Sequence, residues 1–192
     1  SYRQPGTTTF VLDTSGSMEG QRIASLKDIM HSLIDGSAST LTGDVSLRDR
    51  ENVTLQSFDS RPNDPVTARF SHEDPAAAAE LTKYVDGLSA SGSTAMYQTL
   101  LEALRGTDPA GGIPSIVLLS DGQDTVGPRF SKFKEEYEQL PAAQRSVPVF
   151  VILYGDASES EMRELAELTG GEVFDALGGD LAAAFKEIRG FQ

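Results

Sequence analysis

The chain alternates short apolar runs with longer segments of helical periodicity, and this alternation restricts its fold more than any other feature. Residues 115–119 and 147–153 are almost continuously apolar, as are strands buried on both faces of a parallel sheet. Residues 53–58 alternate apolar and polar side chains, which predicts a strand with one wetter face. Strands that alternate with helices predict an α/β fold, in which a mostly parallel sheet carries helices on both faces.

Other patterns supply the remaining elements. Residues 22–34 carry one apolar stripe at helical spacing, and residues 76–88 follow Asp74 and Pro75, which favour the start of a helix. The other predicted helices are residues 95–104, 130–140, 160–169 and 181–188. The other predicted strands are residues 9–12, residues 172–174 and a short edge strand at residues 66–70. The segment 42–52 is polar and charged, and we predict a surface loop there.

The length of 192 residues suits one domain. No linker, internal repeat or low-complexity block divides the sequence. We therefore predict an N-terminal tail at residues 1–6 and a single domain at residues 7–191. A hydrophobic content of 39% and a charged content of 23% are typical of a globular domain rather than a disordered chain.

Charge and residue usage exclude several classes of partner and site. The net charge is −13, and nucleic acids and anionic lipids need a basic patch, so we expect neither as a partner. The absence of cysteine excludes disulfides and thiolate metal sites, and two histidines argue against a zinc site. No segment approaches the ~18 apolar residues of a membrane span. We expect a soluble domain, either cytoplasmic or excised from an exported or membrane-anchored protein.

Asp13 directly follows the predicted strand at residues 9–12, and ligands of open α/β sheets bind at the carboxyl ends of strands. Ser15 and Ser17 alternate with it along a tight loop, which Gly16 allows to turn sharply. One carboxylate and two hydroxyls are oxygen donors, which select hard cations such as Mg²⁺, Mn²⁺ or Ca²⁺. Taken alone, the loop is equally typical of a helix cap and turn.

Two distant residues extend this set of oxygen donors. Asp121 ends the strand predicted at residues 115–120, and it faces Asp13 if the two strands are neighbours. Thr94 follows a glycine-containing loop before a predicted helix and offers another hydroxyl. The predicted metal ligands are Asp13, Ser15, Ser17, Thr94 and Asp121.

These five residues resemble the metal-ion-dependent adhesion site of the von Willebrand factor type A domain family. The family pattern is Asp-x-Ser-x-Ser, then a distant Thr, then a distant Asp. Asp13, Ser15 and Ser17 match its first part, while Thr94 and Asp121 match the second and third. The five-part spacing is specific, whereas Asp-x-Ser-x-Ser alone is a weak signal.

The resemblance covers about residues 7–191, and the segment 121–125 is similar to soluble bacterial members. It implies a doubly wound, Rossmann-like sheet of six strands with one antiparallel edge strand. It also implies a metal ion only partly ligated by the protein, whose shell an Asp or Glu carboxylate of a protein partner completes. Two positions depart from the family pattern without removing a ligand: Asp59 replaces a frequent Ser, and Ser93 replaces a frequent Gly.

The predicted function is divalent-metal-dependent protein binding without catalysis, and two alternatives stay open. The first is a metal-dependent phosphoryl or ester hydrolase that uses the same acids. It needs a positioned base or nucleophile, and Ser15 stands where Asp-x-Asp phosphatases carry a second acid. The second is a metal-free scaffold subunit of a larger complex. Asp59 and Asp124 are predicted to be a surface turn residue and a solvated loop residue.

Overall fold

The computed structural model of the protein describes residues 6–37, 46–108, 112–177 and 181–191. Its strands are β1 (Gly6–Asp13), β2 (Asn52–Phe58), β3 (Val66–Arg69), β4 (Ile113–Ser120), β5 (Val149–Leu153) and β6 (Val173–Asp175). They form one sheet in the order β3-β2-β1-β4-β5-β6, in which the edge strand β3 is antiparallel to β2. The other neighbouring strands are parallel, so the predicted doubly wound, six-stranded sheet is confirmed.

Helices follow most of the strands, as the alternation in the sequence predicts. In the described residues they are α1 (Gln21–Asp35), α2 (Pro75–Asp86), α3 (Met96–Arg105), α4 (Phe130–Glu138), α5 (Ala142–Arg145), α6 (Glu159–Thr169) and α7 (Leu181–Phe191). No helix among these residues combines the length and the apolar character that a membrane crossing requires. Of the predicted tail, Gly6 opens β1, and residues 1–5 lie outside the described part of the chain.

The sheet separates two apolar cores. On one face, Phe10 and Leu12 of β1 belong to the core that contains residues of α1, α2 and α7. On the other face, Val11 belongs to the core that contains residues of α3, α4 and α6. Alternate residues of β1 therefore pack in opposite directions, as expected of a strand covered on both faces.

The order of the strands reverses beside β1. The chain passes from β1 to β2 on one side and later returns to place β4 on the other side. The carboxyl ends of β1 and β4 therefore flank the point at which the loops diverge, where open α/β sheets bind ligands.

The loop predicted at residues 42–52 is confirmed as a loop at residues 46–51, but only part of it lies at the surface. Residues 42–45 lie outside the described residues, Leu47 is buried in the first core, and Asn52 begins β2. Glu51 is also buried, and it forms an ion pair of 2.7 Å with Arg189 of α7. The polar sequence of this segment suggested exposed side chains. Glu51 is buried instead, because the distant Arg189 balances its charge.

Candidate metal centre

Asp13 lies at the carboxyl end of β1, beside β4. The parallel register pairs Leu12 with Leu119, so the next residues of the two strands, Asp13 and Ser120, are close. Oδ2 of Asp13 accepts a hydrogen bond of 2.7 Å from Oγ of Ser120. Oδ1 accepts one of 2.9 Å from the backbone N–H of Ser15 and one of 2.6 Å from its hydroxyl. The carboxylate is therefore fixed in position by both neighbouring loops.

The two serines of the first loop connect Asp13 to Asp121. The hydroxyl oxygens of Ser15 and Ser17 are 3.2 Å apart. The Ser17 hydroxyl donates to Oδ2 of Asp121, whose Oδ1 accepts from the backbone N–H of Gln123 at 3.0 Å. Ser15 is buried and Ser17 is exposed, so the hydrogen-bonded chain reaches from the sheet to the surface.

The Thr94 loop is joined to the first loop through the backbone. The N–H of Gly16 donates to the carbonyl of Gly92 at 2.9 Å, and the N–H of Ser91 donates to the carbonyl of Thr14 at 2.9 Å. A Cβ atom at Gly16 would lie 3.3 Å from the Gly92 carbonyl oxygen, so a larger residue would press the loops apart. This short distance between the two loops explains why glycine suits position 16.

Thr94 itself is buried, but within the described residues no hydrogen bond joins its hydroxyl to the other four predicted ligands. Its backbone N–H donates to Oγ1 of Thr125 at 2.9 Å, and its carbonyl accepts from the N–H of Thr125 at 2.8 Å. The structure thus joins Asp13, Ser15, Ser17 and Asp121 directly, and brings the Thr94 loop beside them through Gly16 and Gly92.

Burial makes the charged form of Asp13 costly. Asp13 is fully buried and Asp121 is 2% exposed. Desolvation raises the pKa of Asp13 to about 6, although the hydrogen bonds from Ser15 and Ser120 lower it. The negative charge of Asp121 raises the pKa of Asp13 further. A cation between the two acids would offset both the desolvation and the repulsion.

The donor set fits a hard divalent cation. Two carboxylates and three hydroxyls supply only oxygen atoms, the ligands that Mg²⁺, Mn²⁺ and Ca²⁺ prefer. In the described parts of the chain, no cluster of three or more Asp, Glu, His or Cys residues is arranged for a metal ion. Protein ligation here would therefore depend on hydroxyls as well as on two acids.

Two residues that contribute to the site were not predicted from the sequence, Ser120 and Arg22. Ser120 holds Asp13 and also accepts from the N–H of Gly122 at 2.9 Å; its position beside Asp121 was the available signal. Arg22 places Nη1 3.2 Å from Oδ2 of Asp121, a pairing that no local pattern indicates.

Asp124 lies in a loop, as predicted, but its carboxyl group is only partly solvated. Its Oδ1 lies 3.4 Å from the backbone N of Tyr97 in the first turn of α3, while its Oδ2 is buried without a hydrogen-bond partner among the described residues. Desolvation raises the pKa of Asp124 to about 6. Asp59 does lie in a turn, where its carbonyl accepts from the N–H of Ala95 at 2.7 Å.

Comparison with known proteins adds an independent line of evidence. A family profile described as von Willebrand factor type A domain matches residues 8–174. Inter-alpha-trypsin inhibitor heavy chain H4 of Homo sapiens is 29% identical over 134 residues, which are 64% of this chain and 13% of that protein. The chain thus spans a small part of that relative.

Solved structures share the same fold. A von Willebrand factor type A structure from Catenulispora acidiphila aligns with a TM-score of 0.74 and 22% identity, over 96% of this chain and 42% of the other. The conserved hypothetical protein BatB from Bacteroides thetaiotaomicron aligns with a TM-score of 0.66 and 18% identity, over 96% and 97% of the two chains.

Proposed function

This chain belongs to the von Willebrand factor type A domain family, whose members commonly serve in protein interaction and adhesion, and from that premise we propose that it binds a protein partner through a divalent metal ion. The proposed ligands are Asp13, Ser15, Ser17, Thr94 and Asp121. The ion is Mg²⁺, with Mn²⁺ or Ca²⁺ as substitutes of similar oxygen preference.

One observation carries this proposal: a continuous set of hydrogen bonds links Asp13, Ser15, Ser17 and Asp121 at the carboxyl edge of the sheet. Asp13 and Asp121 supply the negative charge, and the hydroxyls supply neutral oxygen atoms. Ser120 holds the Asp13 carboxylate, and the N–H of Gln123 holds that of Asp121. Such prior positioning limits the ordering that ion binding would require.

The chemistry of the partner follows from the neutral ligands. Hydroxyl groups remove little of the charge of a divalent ion, so an ion that only one of the two carboxylates ligates directly would keep part of its charge and attract an anionic group from outside. We propose that this group is an Asp or Glu carboxylate of the partner protein. The exposed Ser17 marks the side from which that carboxylate would approach.

The hydrolase alternative needs a base beside the two acids. His31 pairs with Asp86 between α1 and α2 at 2.7 Å, and His72 packs against the ring of Phe70. Neither histidine therefore contacts the proposed ligands, and the binding function is favoured. The metal-free scaffold alternative is decided by metal titration.

Calorimetric titration of the intact protein with Mg²⁺ and Mn²⁺ tests the proposal. We expect the wild type to bind and Asp13→Ala to lose binding or weaken it strongly, because the carboxylate at the centre of the hydrogen-bonded set disappears. Asp156→Ala is the matched control, since it removes an exposed acid that follows β5 at the same edge of the sheet. Circular dichroism should show that both variants stay folded.

Absence of metal binding in the wild type would refute the metal-dependent function. Partner capture with and without a chelator tests the second step, and retention unaffected by the chelator would argue against a metal bridge. A screen with generic phosphatase and ester substrates addresses the hydrolase. Metal-dependent turnover that Asp13→Ala abolishes would replace the binding proposal.

A further inference from the structure

We infer that Arg22 is an internal counter-cation, which competes with the divalent ion for Asp121 and lowers the metal affinity of the site. The inference rests on the proposed function, because it requires that Asp121 belongs to a metal site. It assigns a role to a residue that lies outside the five proposed ligands.

The contact is between a guanidinium group and a buried carboxylate. Nη1 of Arg22 lies 3.2 Å from Oδ2 of Asp121, and their side chains are 35% and 2% exposed. The same Oδ2 accepts the hydrogen bond of Ser17. One carboxylate oxygen is therefore shared by a proposed ligand of the metal ion and by a positive side chain.

A glycine on a neighbouring loop makes room for the guanidinium. Gly155 follows β5 and has a φ of +86°, in the left-handed region that favours glycine. A Cβ atom there would lie 2.9 Å from Nη2 of Arg22 and 3.7 Å from its Cζ. Arg22 therefore packs on bare backbone, between Gly155 and Asp121. This position depends on two separate loops, which distinguishes it from an ordinary surface ion pair.

Electrostatics makes this arrangement a competition. A divalent ion and a guanidinium group that approach the same carboxylate repel each other, and the repulsion is strong where burial lowers the effective dielectric constant. Arginine keeps its charge at every physiological pH, so it cannot give way by losing a proton. Binding of the ion must therefore displace Arg22 or bear its repulsion, and either lowers the affinity.

Calorimetric titration with Mn²⁺ alone tests this on four proteins: wild type, Arg22→Gln, Arg22→Lys and Lys27→Gln. Arg22→Gln should bind Mn²⁺ about tenfold more tightly, because one positive charge leaves Asp121. Arg22→Lys should stay near the wild type, since it retains the charge. Lys27→Gln is the matched control: it removes the same charge from α1 at a side chain that reaches the Asp86 carbonyl instead.

The outcomes separate this inference from the proposed function. Unchanged or weaker binding by Arg22→Gln, or an equal gain in Lys27→Gln, would overturn the inference while the metal site stands. If neither the wild type nor Arg22→Gln binds Mn²⁺, both ideas fall. If only Arg22→Gln binds, Arg22 blocks the site: the competition is confirmed, and the metal-dependent function of the wild type is refuted.

A second measurement needs no variant. In ¹⁵N NMR of the wild type, the side-chain signals of Arg22 should report freer rotation of the guanidinium group when Mg²⁺ is added. Signals that do not change at saturating Mg²⁺ would contradict displacement, and the Arg22→Gln affinity would then decide whether repulsion alone operates.

Discussion

Asp124 combines a half-buried carboxyl group with one oxygen that has no hydrogen-bond partner among the described residues. Its other oxygen lies by the backbone N–H of Tyr97 in the first turn of α3, where N–H groups without a partner inside the helix favour an acceptor. A hydrogen-bond acceptor is therefore favourable at this position, whereas the negative charge of an ionised carboxylate is unfavourable. At the scale of the residue, the consequence is a dependence of stability on pH.

The pKa of Asp124 near 6 sets the sign of that dependence. The unfolded value is about 3.9, so the folded state binds more protons between these two values. The contribution of Asp124 to the free energy of unfolding therefore falls as the pH rises through this interval. Urea unfolding at pH 5 and pH 7, with a chelator present, measures this change. Between the two pH values, the free energy of unfolding should fall less in Asp124→Asn than in the wild type.

The exposed Asp156 provides the control, because Asp156→Asn removes an acid for which no comparable burial exists. The same difference between pH 5 and pH 7 in Asp124→Asn and in the wild type would show that burial does not disfavour the charge of Asp124.

The connection between α6 and β6 depends on a close contact with β5. At Gly171 a Cβ atom would lie 1.9 Å from the carbonyl oxygen of Val149, too close for any side chain unless the strands move. Gly170 ends α6 in the left-handed conformation, so the two glycines together turn the chain from helix to strand. At the scale of the element, glycine at 171 is a packing requirement.

Gly171→Ala should therefore lower the free energy of unfolding by about 1–3 kcal/mol, the usual cost of a group forced into a packed interior. Gly190→Ala is the matched control, because a Cβ atom there meets no atom within 4 Å in α7. It should gain roughly 0.5–1 kcal/mol, since alanine favours a helix over glycine. Urea denaturation measures both, and equal effects of the two substitutions would refute the contact.

The elements show where a sequence is sufficient and where it is not. The apolar run in β4 correctly predicted a buried strand, since both faces of β4 pack against an apolar core. β1 begins at Gly6 rather than near residue 9, because its polar residues Thr7 and Thr8 are paired on both sides by β2 and β4. Backbone pairing of this kind leaves no periodic pattern in the side chains.

The candidate metal centre likewise contains residues whose proximity the sequence predicts and one contact that it does not. The proximity of Asp13, Ser15 and Asp121 was predictable because they lie just beyond buried strands, whose carboxyl ends meet at one edge of a parallel sheet. Arg22 was not, because its partner lies 99 residues away and an arginine in the first turn of a helix is ordinary. Long-range charge pairs follow from the fold, and the local sequence does not reveal them.

At the scale of the whole molecule, the Glu51–Arg189 ion pair joins the start of β2 to α7. The two side chains are 1% and 5% exposed, and Glu51 also accepts a hydrogen bond of 2.7 Å from the hydroxyl of Thr8 in β1. Three distant segments therefore meet at one carboxylate. It lies near the amino ends of β1 and β2, whereas the candidate metal centre lies at the carboxyl ends of the strands.

Arg189→Met should lower the free energy of unfolding by about 3–5 kcal/mol, because it leaves the carboxylate of Glu51 buried without its cation. The double variant Glu51→Gln with Arg189→Met should recover part of that loss. Arg163→Met is the matched control: it breaks the exposed pair with Glu159 on α6, where a much smaller loss is expected because solvent screens the two charges. Urea denaturation that gives Arg189→Met and Arg163→Met the same cost would refute this role.

The hydrogen bond between Asp13 and Ser120 spans 107 residues of sequence. It exists only when β4, a late strand, has taken its place beside β1, an early one. The oxygen cluster is therefore complete only in a chain whose strands β1 and β4 have paired. An ion that prefers this cluster would select chains whose central strand pair is complete, and so would distinguish a finished domain from an incomplete one during biosynthesis.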